Sequence, residues 1–194
     1  SGAKIRRVTA HHAGMIKKLN LGKGAIIEII RSGEVIPKIV DVIKASKKTE
    51  IISSCPSCGK ILEWNNDFLV CNNRYNCKDQ QLSKLVHFFN ILGNVDLLGS
   101  KTLEKFFEAG FTTLESIYSV KLENMITLGL GPKQSSNIMD QILRSKTEEI
   151  DDWRFLAAFG IPHLGKAESK RLLSKVPLEK INELKNNNQN INKL

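Results

Sequence analysis

All four cysteines of this chain fall within 23 of its 194 residues, as Cys55-x2-Cys58, a twelve-residue gap, and Cys71-x5-Cys77. That grouping is the strongest constraint on the fold. Two cysteine pairs flank a short apolar run, Ile61-Leu62-Glu63-Trp64 and Phe68-Leu69-Val70, which reads as a hairpin. Such a hairpin can carry four thiolates to the corners of a tetrahedron, which is what a structural zinc ion needs. Pro56 and Gly59 suit a tight turn with backbone amides aimed at sulfur.

An iron–sulfur cluster, two disulfides or free thiols are the competing readings. Disulfides require an oxidising compartment, and no secretory leader opens the sequence. Zinc is therefore the expected ion. A four-cysteine site is coordinatively closed, so its role is expected to be structural.

The formal net charge is +9, and aromatics make up 6% of the chain. A chain this basic suits a polyanionic partner. The scarcity of aromatics disfavours a base-stacking single-strand platform, leaving duplex backbone contact. No apolar run approaches membrane-spanning length. Residues 1–50 hold eleven basic side chains against four acidic ones, and that segment reads as a nucleic-acid face.

Within it, residues 9–18 are expected to form a short helix. Residues 25–31 and 35–43 read as two strands joined at Ser32-Gly33, with Pro37 at a strand start or edge. Two or three strands cannot close a barrel, so the remainder is expected from elsewhere. Arg31 at the turn offers a planar fork for a phosphate. Residues 44–50 read as a polar linker. Beyond the cysteines, residues 82–92 show helical periodicity; His87 within them is read as a packing or surface residue.

A repeat follows. Its three copies centre on Gly99-Ser100-Lys101, Gly129-Leu130-Gly131-Pro132-Lys133 and Gly160-Ile161-Pro162-His163-Leu164-Gly165-Lys166, with Gly99, Gly131 and Gly165 spaced by 32 and 34 positions. Each reads as an apolar helix, a glycine turn and a second helix opening on a lysine, the helix-hairpin-helix pattern. Glycines allow the sharp turn and leave N–H groups facing outward at a helix N-terminus. Those donors hold a phosphate without reading a base, and Lys101, Lys133 and Lys166 add charge there. Leu97 stands where the first copy would have a glycine. Residues 150–159 read as an amphipathic helix with Trp153 in the core. Residues 174–194 begin as a helix, pass through a polar tract at 186–190, and stop where a fourth hairpin would begin.

A partial barrel, a four-cysteine module and tandem hairpins, in that order, resemble the C-terminal half of NAD-dependent DNA ligases. The fold expected is multi-domain and mainly α with a small β part: a partial oligonucleotide-binding (OB) fold at 1–50, a four-cysteine zinc finger at 51–80 and a helix-hairpin-helix domain at 81–194. Arg31-Ser32-Gly33-Glu34-Val35-Ile36-Pro37 resembles the family's R-x-G-[DE]-V-I-P signature. The run from Arg6 to His11 is similar to its strand ending in T-x-H, with His12 replacing the usual asparagine. Residues 155–173 are similar to its third hairpin motif.

The resemblance implies nick sealing in duplex DNA by way of a lysine adenylylated from NAD. It implies DNA contacts at Arg6, Arg7, Thr9, His11, Arg31, Gly33, Val35 and Ile36, and at the hairpin residues Gly99, Lys101, Gly129, Gly131, Lys133, Gly160, His163, Gly165 and Lys166. The K-x-D-G adenylylation motif is absent from this sequence, as are the family's nicotinamide-binding segment and BRCT domain. No catalytic residue is assigned, and the chain is not expected to form ligase–AMP alone. NAD would act only through an adenylation domain supplied in cis or trans. The expected partners are nicked double-stranded DNA and that domain, with no membrane, in the cytoplasm of a bacterium or of a virus's host cell. A stand-alone zinc and hairpin DNA-binding module is the alternative. A zinc-dependent enzyme would need an open metal site.

Overall fold

The computed structural model describes residues 5–33 and 36–181. They form two compact units, which meet in sequence between Cys77 and Lys78.

Residues 9–12 of the first unit make a turn in place of the start of the expected helix. His11 has φ +57° and its amide donates to the Thr9 hydroxyl at 3.0 Å. His12 is extended, and its Nδ1 accepts the Met15 amide at 3.1 Å. This side-chain cap fixes the start of α1 at Ala13–Lys18, four residues later than the helix read over 9–18. The strand expected through Arg6 to His11 is also absent, since a strand needs a ladder partner and none runs beside these residues among those described.

After α1 come β1 (Ile26–Ser32) and β2 (Ile36–Lys44), an antiparallel pair with Ile29 opposite Ile39 and Arg31 opposite Pro37. Pro37 is tolerated because this is a two-stranded ribbon, all edge. Ile39 is its one buried residue among those described, whereas Ile26, Ile29, Ile30, Ile36, Val40 and Ile43 are exposed. A ribbon this bare is marginal alone.

A second hairpin, β3 (Glu63–Asn65) with β4 (Phe68–Val70), turns at Asn66, φ +53°. Its tip is clipped to α1. The Gly14 amide donates to the Asp67 carbonyl at 2.9 Å, the His12 and Phe68 rings lie 5.3 Å apart, and the Lys17 ammonium sits 5.1 Å from the Trp64 ring centroid. A Cβ at Gly14 would run into Asp67, so glycine is needed for this approach.

The second unit is helical: α2 (Lys78–Leu92), α3 (Ser100–Glu108), α4 (Leu114–Tyr118), α5 (Leu122–Thr127), α6 (Pro132–Ser145), α7 (Asp152–Ala158) and α8 (Lys166–Leu173). Leu85, Phe88, Phe89 and Leu92 give α2 a buried face at helical spacing. They join Leu98, Leu103, Phe106, Ile117, Met125, Ile138 and Ile142 in one core. Phe88 and Phe89 meet edge to face at 5.4 Å.

Leu98 and Leu130 precede equivalent glycines, and Phe106 and Ile138 follow them by seven residues, so the first two copies of the repeat present matching side chains to one core. Trp153 is not in it. It is half-buried, with the Lys170 ammonium 4.3 Å and the Arg154 guanidinium 5.7 Å from its ring. Leu156, Ala157 and Ala158 form the buried face of α7 instead. The tract at 186–190 and the start of a fourth repeat lie outside the described residues.

Candidate metal centre and candidate nucleic-acid interface

Two turns bring the cysteines together. In the first, Gly59 takes φ +71°, its amide donates to the Cys55 carbonyl at 2.9 Å, and the Cys55 amide donates to the Lys60 carbonyl at 2.7 Å. In the second, the Cys77 amide donates to the Asn73 carbonyl at 3.0 Å. The β3–β4 hairpin joins the two. The four Sγ atoms lie within 4.8 Å of one another, with Cys55–Cys77 at 3.9 Å and Cys58–Cys71 at 3.6 Å. Metal–sulfur bonds of about 2.3 Å in a tetrahedron give sulfur separations of about 3.8 Å. Disulfide sulfurs would sit at about 2.05 Å. The cage fits a tetrahedral metal ion.

The metal-free thiols are polarised. Hydrogen bonds from the Asn73 side chain and the Lys60 backbone hold Cys58 down at about 6. Cys71 also receives a backbone hydrogen bond from Asn73, but desolvation and the neighbouring Cys58 and Cys55 sulfurs outweigh it and push its thiol up to about 11. One proton shared between close sulfurs produces this split. A cation in the cage removes it by stabilising every thiolate.

The predicted DNA-contact residues of the first unit fall in two places. Arg31, Gly33 (φ +50°) and Ile36 gather at the closed end of the β1–β2 ribbon, all exposed. Val35 lies outside the described residues. Arg6, Arg7, Thr9 and His11 are exposed on the segment before α1, beside a cleft of about 530 Å³ lined by Thr9, His11, Ile16, Ile52 and Phe68.

The remaining predicted residues lie on the three loops of the second unit. Gly99, Gly131 and Gly165 are the N-caps of α3, α6 and α8, and none of the three helix ends carries a side-chain cap. The end of α4 is different: the Thr113 hydroxyl accepts the Ser116 amide, and the Ser116 hydroxyl accepts the Thr113 amide, both at 3.1 Å. Neither α3 nor α6 has an acidic residue in its first turn. Lys101, Lys133 and Lys166 are exposed there. Helix ends left this way offer N–H donors and a positive dipole end to an anion.

The loops differ internally. Gly129 has φ +73°, and at the matching place in the third copy His163 has φ +64°, a conformation costly for a residue with a Cβ. Gly160 (φ +61°) lies against the His87 ring, whose Nε2–H donates to the Ala157 carbonyl at 3.3 Å. His87 is thus a surface packing residue, as the sequence indicates. Gly160, His163, Gly165, Lys166 and His87 border a cavity of about 300 Å³.

Sequence reasoning missed two features. Ser135 and Ser169, each four residues after a loop glycine, are fully buried; the Ser135 hydroxyl donates to the Gly131 carbonyl at 3.0 Å, with the Leu130 carbonyl at 3.4 Å, and the Ser169 hydroxyl donates to the Leu164 carbonyl at 3.4 Å. The shared Gly-x-x-x-Ser spacing is legible in the sequence. Gln141 and Arg144 on α6 reach back to the first loop, and no local pattern marks them.

No family model matches the chain. The chain is similar to the DNA ligase of Desulfatibacillum aliphaticivorans, 51% identical over 181 residues, which is 93% of the chain and 28% of that protein. It is 45% identical to the DNA ligase of Desulfotalea psychrophila, over 93% of the chain and 27% of the relative, and 34% identical to that of Wolinella succinogenes, over 88% and 27%. The resemblance to DNA ligases read from the motifs therefore holds across nearly the whole chain. The chain spans under a third of the length of these relatives. Among the described residues no helix is long and apolar enough to cross a membrane.

Proposed function

We propose that this chain is the DNA-holding part of an NAD-dependent DNA ligase: a partial OB fold, a zinc finger and a helix-hairpin-helix domain that grip nicked duplex DNA. The observation that carries this is the 51% identity to a DNA ligase over 93% of the chain. The uncapped glycine-led helix ends with exposed lysines support phosphate contact. Its contacts would be the ribbon end (Arg31, Gly33, Val35, Ile36), the segment Arg6, Arg7, Thr9 and His11, and the loops at Gly129, Gly131, Lys133 and at Gly160, His163, Gly165, Lys166. Backbone amides and lysines there touch phosphates, so binding is indifferent to sequence and falls steeply with salt.

The ion in the cage is zinc, on the strength of four thiolate ligands and a closed tetrahedral cage. It is a structural ion and takes no step in the chemistry. The bare aliphatic ribbon supports a barrel completed by strands of another part of the ligase. That part, in cis or in trans, carries the lysine adenylylated from NAD.

The test is to mix the zinc-loaded chain with an adenylation-domain polypeptide and a nicked duplex. Sealing should rise when the chain is added and fall with Arg31→Ala. Equal sealing with and without the chain would refute the proposal.

A further inference from the structure

The three loops are of two kinds. In the second and third, the residue two before the N-cap glycine is left-handed, Gly129 at φ +73° and His163 at φ +64°. In both, a fully buried serine four residues after that glycine turns its hydroxyl back into the loop, Ser135 donating to the Gly131 carbonyl at 3.0 Å with the Leu130 carbonyl at 3.4 Å, and Ser169 to the Leu164 carbonyl at 3.4 Å. The first loop has neither device. Leu97, at the matching place, is not among the residues with positive φ. Leu103 replaces the serine and is fully buried in the core.

What the first loop has is a brace from the neighbouring copy. The Leu97 amide donates to Gln141 Oε1 at 3.3 Å, and Arg144 Nη2 donates to the Asn94 carbonyl at 3.1 Å. Gln141 and Arg144 are one turn apart on α6, so they face the same loop. Val95 and Leu98 on either side are buried. The loop is fastened inward at both ends of its turn, and one of its amides already has an acceptor.

We infer that Gln141 and Arg144 are positioning residues that turn the first hairpin into an internal brace for α6, leaving the second and third hairpins alone to take DNA phosphates. This rests on the proposed DNA-holding role. It replaces the expectation from the repeat that Gly99 and Lys101 contact DNA. The brace fixes α6, whose N-terminus carries Gly131 and Lys133, against the loop before α3.

The experiment uses the full chain with its metal and a nicked duplex, titrated across salt concentrations. Lys133→Ala and Lys166→Ala should each weaken binding about three- to tenfold at low salt and lower the salt slope by about one. Lys101→Ala should change neither. A slope reduced by about one in Lys101→Ala would overturn the inference. If none of the three variants moves the slope, the phosphate-gripping role itself fails, and the inference with it.

Hydrogen exchange of the free chain gives a second readout, independent of DNA. The Leu97 amide should be protected in the wild type and in Gln141→Glu, which keeps the acceptor oxygen, and should exchange at least about tenfold faster in Gln141→Leu. Fast exchange of Leu97 in the wild type would also overturn the inference.

Discussion

The two units are held together by different physics. The helical unit buries a continuous set of phenylalanines, leucines and isoleucines around α2. In the described part of the other unit, Ile39, Cys55 and Cys77 are the buried apolar residues, two of them metal-ligand candidates. One unit is stabilised by removing hydrocarbon from water, at roughly 1.5–3 kcal/mol for each large side chain fully buried. The other has little hydrocarbon inside among its described residues, and under the proposed function it relies on the ion its cysteine cage would hold. A mainly hydrophobic unit should be indifferent to chelation, and a metal-dependent one should not.

The largest effect expected is therefore from Cys71→Ser or from chelation. Structural zinc contributes on the order of 10 kcal/mol to small modules, so the β3–β4 hairpin and its turns should unfold. Through the Gly14–Asp67 and His12–Phe68 contacts, α1 should lose its support as well. Circular dichroism and proteolysis should show the helical unit intact. Loss of both units together would break the contrast.

Phe106→Ala probes the other side. Phe106 is fully buried, so truncation should cost about 3–5 kcal/mol in the helical unit, with metal content unchanged. Next comes Gly14→Ala, whose new methyl group overlaps Asp67; about 1–3 kcal/mol should be lost from the first unit. The smallest change is Thr113→Ala, which removes one half of the capping box on α4 and should cost about 1 kcal/mol by thermal melting.

Acid sharpens the same contrast. In the metal-free fold Cys58 sits at about 6, below its ordinary 9.0, so the thiolate is favoured by folding. That contribution is present above pH 9 and is lost as pH falls through 6. Cys71 is shifted the other way, to about 11, so its contribution is present below pH 9 and is lost as pH rises through 11. A bound metal holds both as thiolates, taking Cys58 lower still and bringing Cys71 down from its raised value. Metal should therefore stay bound at neutral pH and be released below about pH 6, melting the first unit. Metal release measured with a chromogenic chelator checks this. Retention of the ion at about pH 4 would contradict it.

Much of this was legible in the sequence, where local chemistry decides. Cysteine spacing led to the cage, isoleucine-rich runs to β1 and β2, and glycine periodicity to the loops of the second unit. Decisions made by tertiary contact were not. Trp153 follows an apolar helical pattern, yet Lys170 and Arg154 cover its ring and keep it at the surface. Residues 9–12 have helix-compatible types but are used for a turn and a cap. Gln141 is an ordinary surface-type residue whose partner lies 44 positions away. Gly14 could be read as a weak point in a helix, and its reason appears only when Asp67 is beside it.

The most direct test of the central claim is the affinity of the metal-loaded chain for a nicked duplex as salt is raised from about 50 to 200 mM. The account expects tight binding at the low end that falls linearly on a log–log plot, whatever the DNA sequence. No binding at the low end, or binding that salt does not weaken, would contradict it.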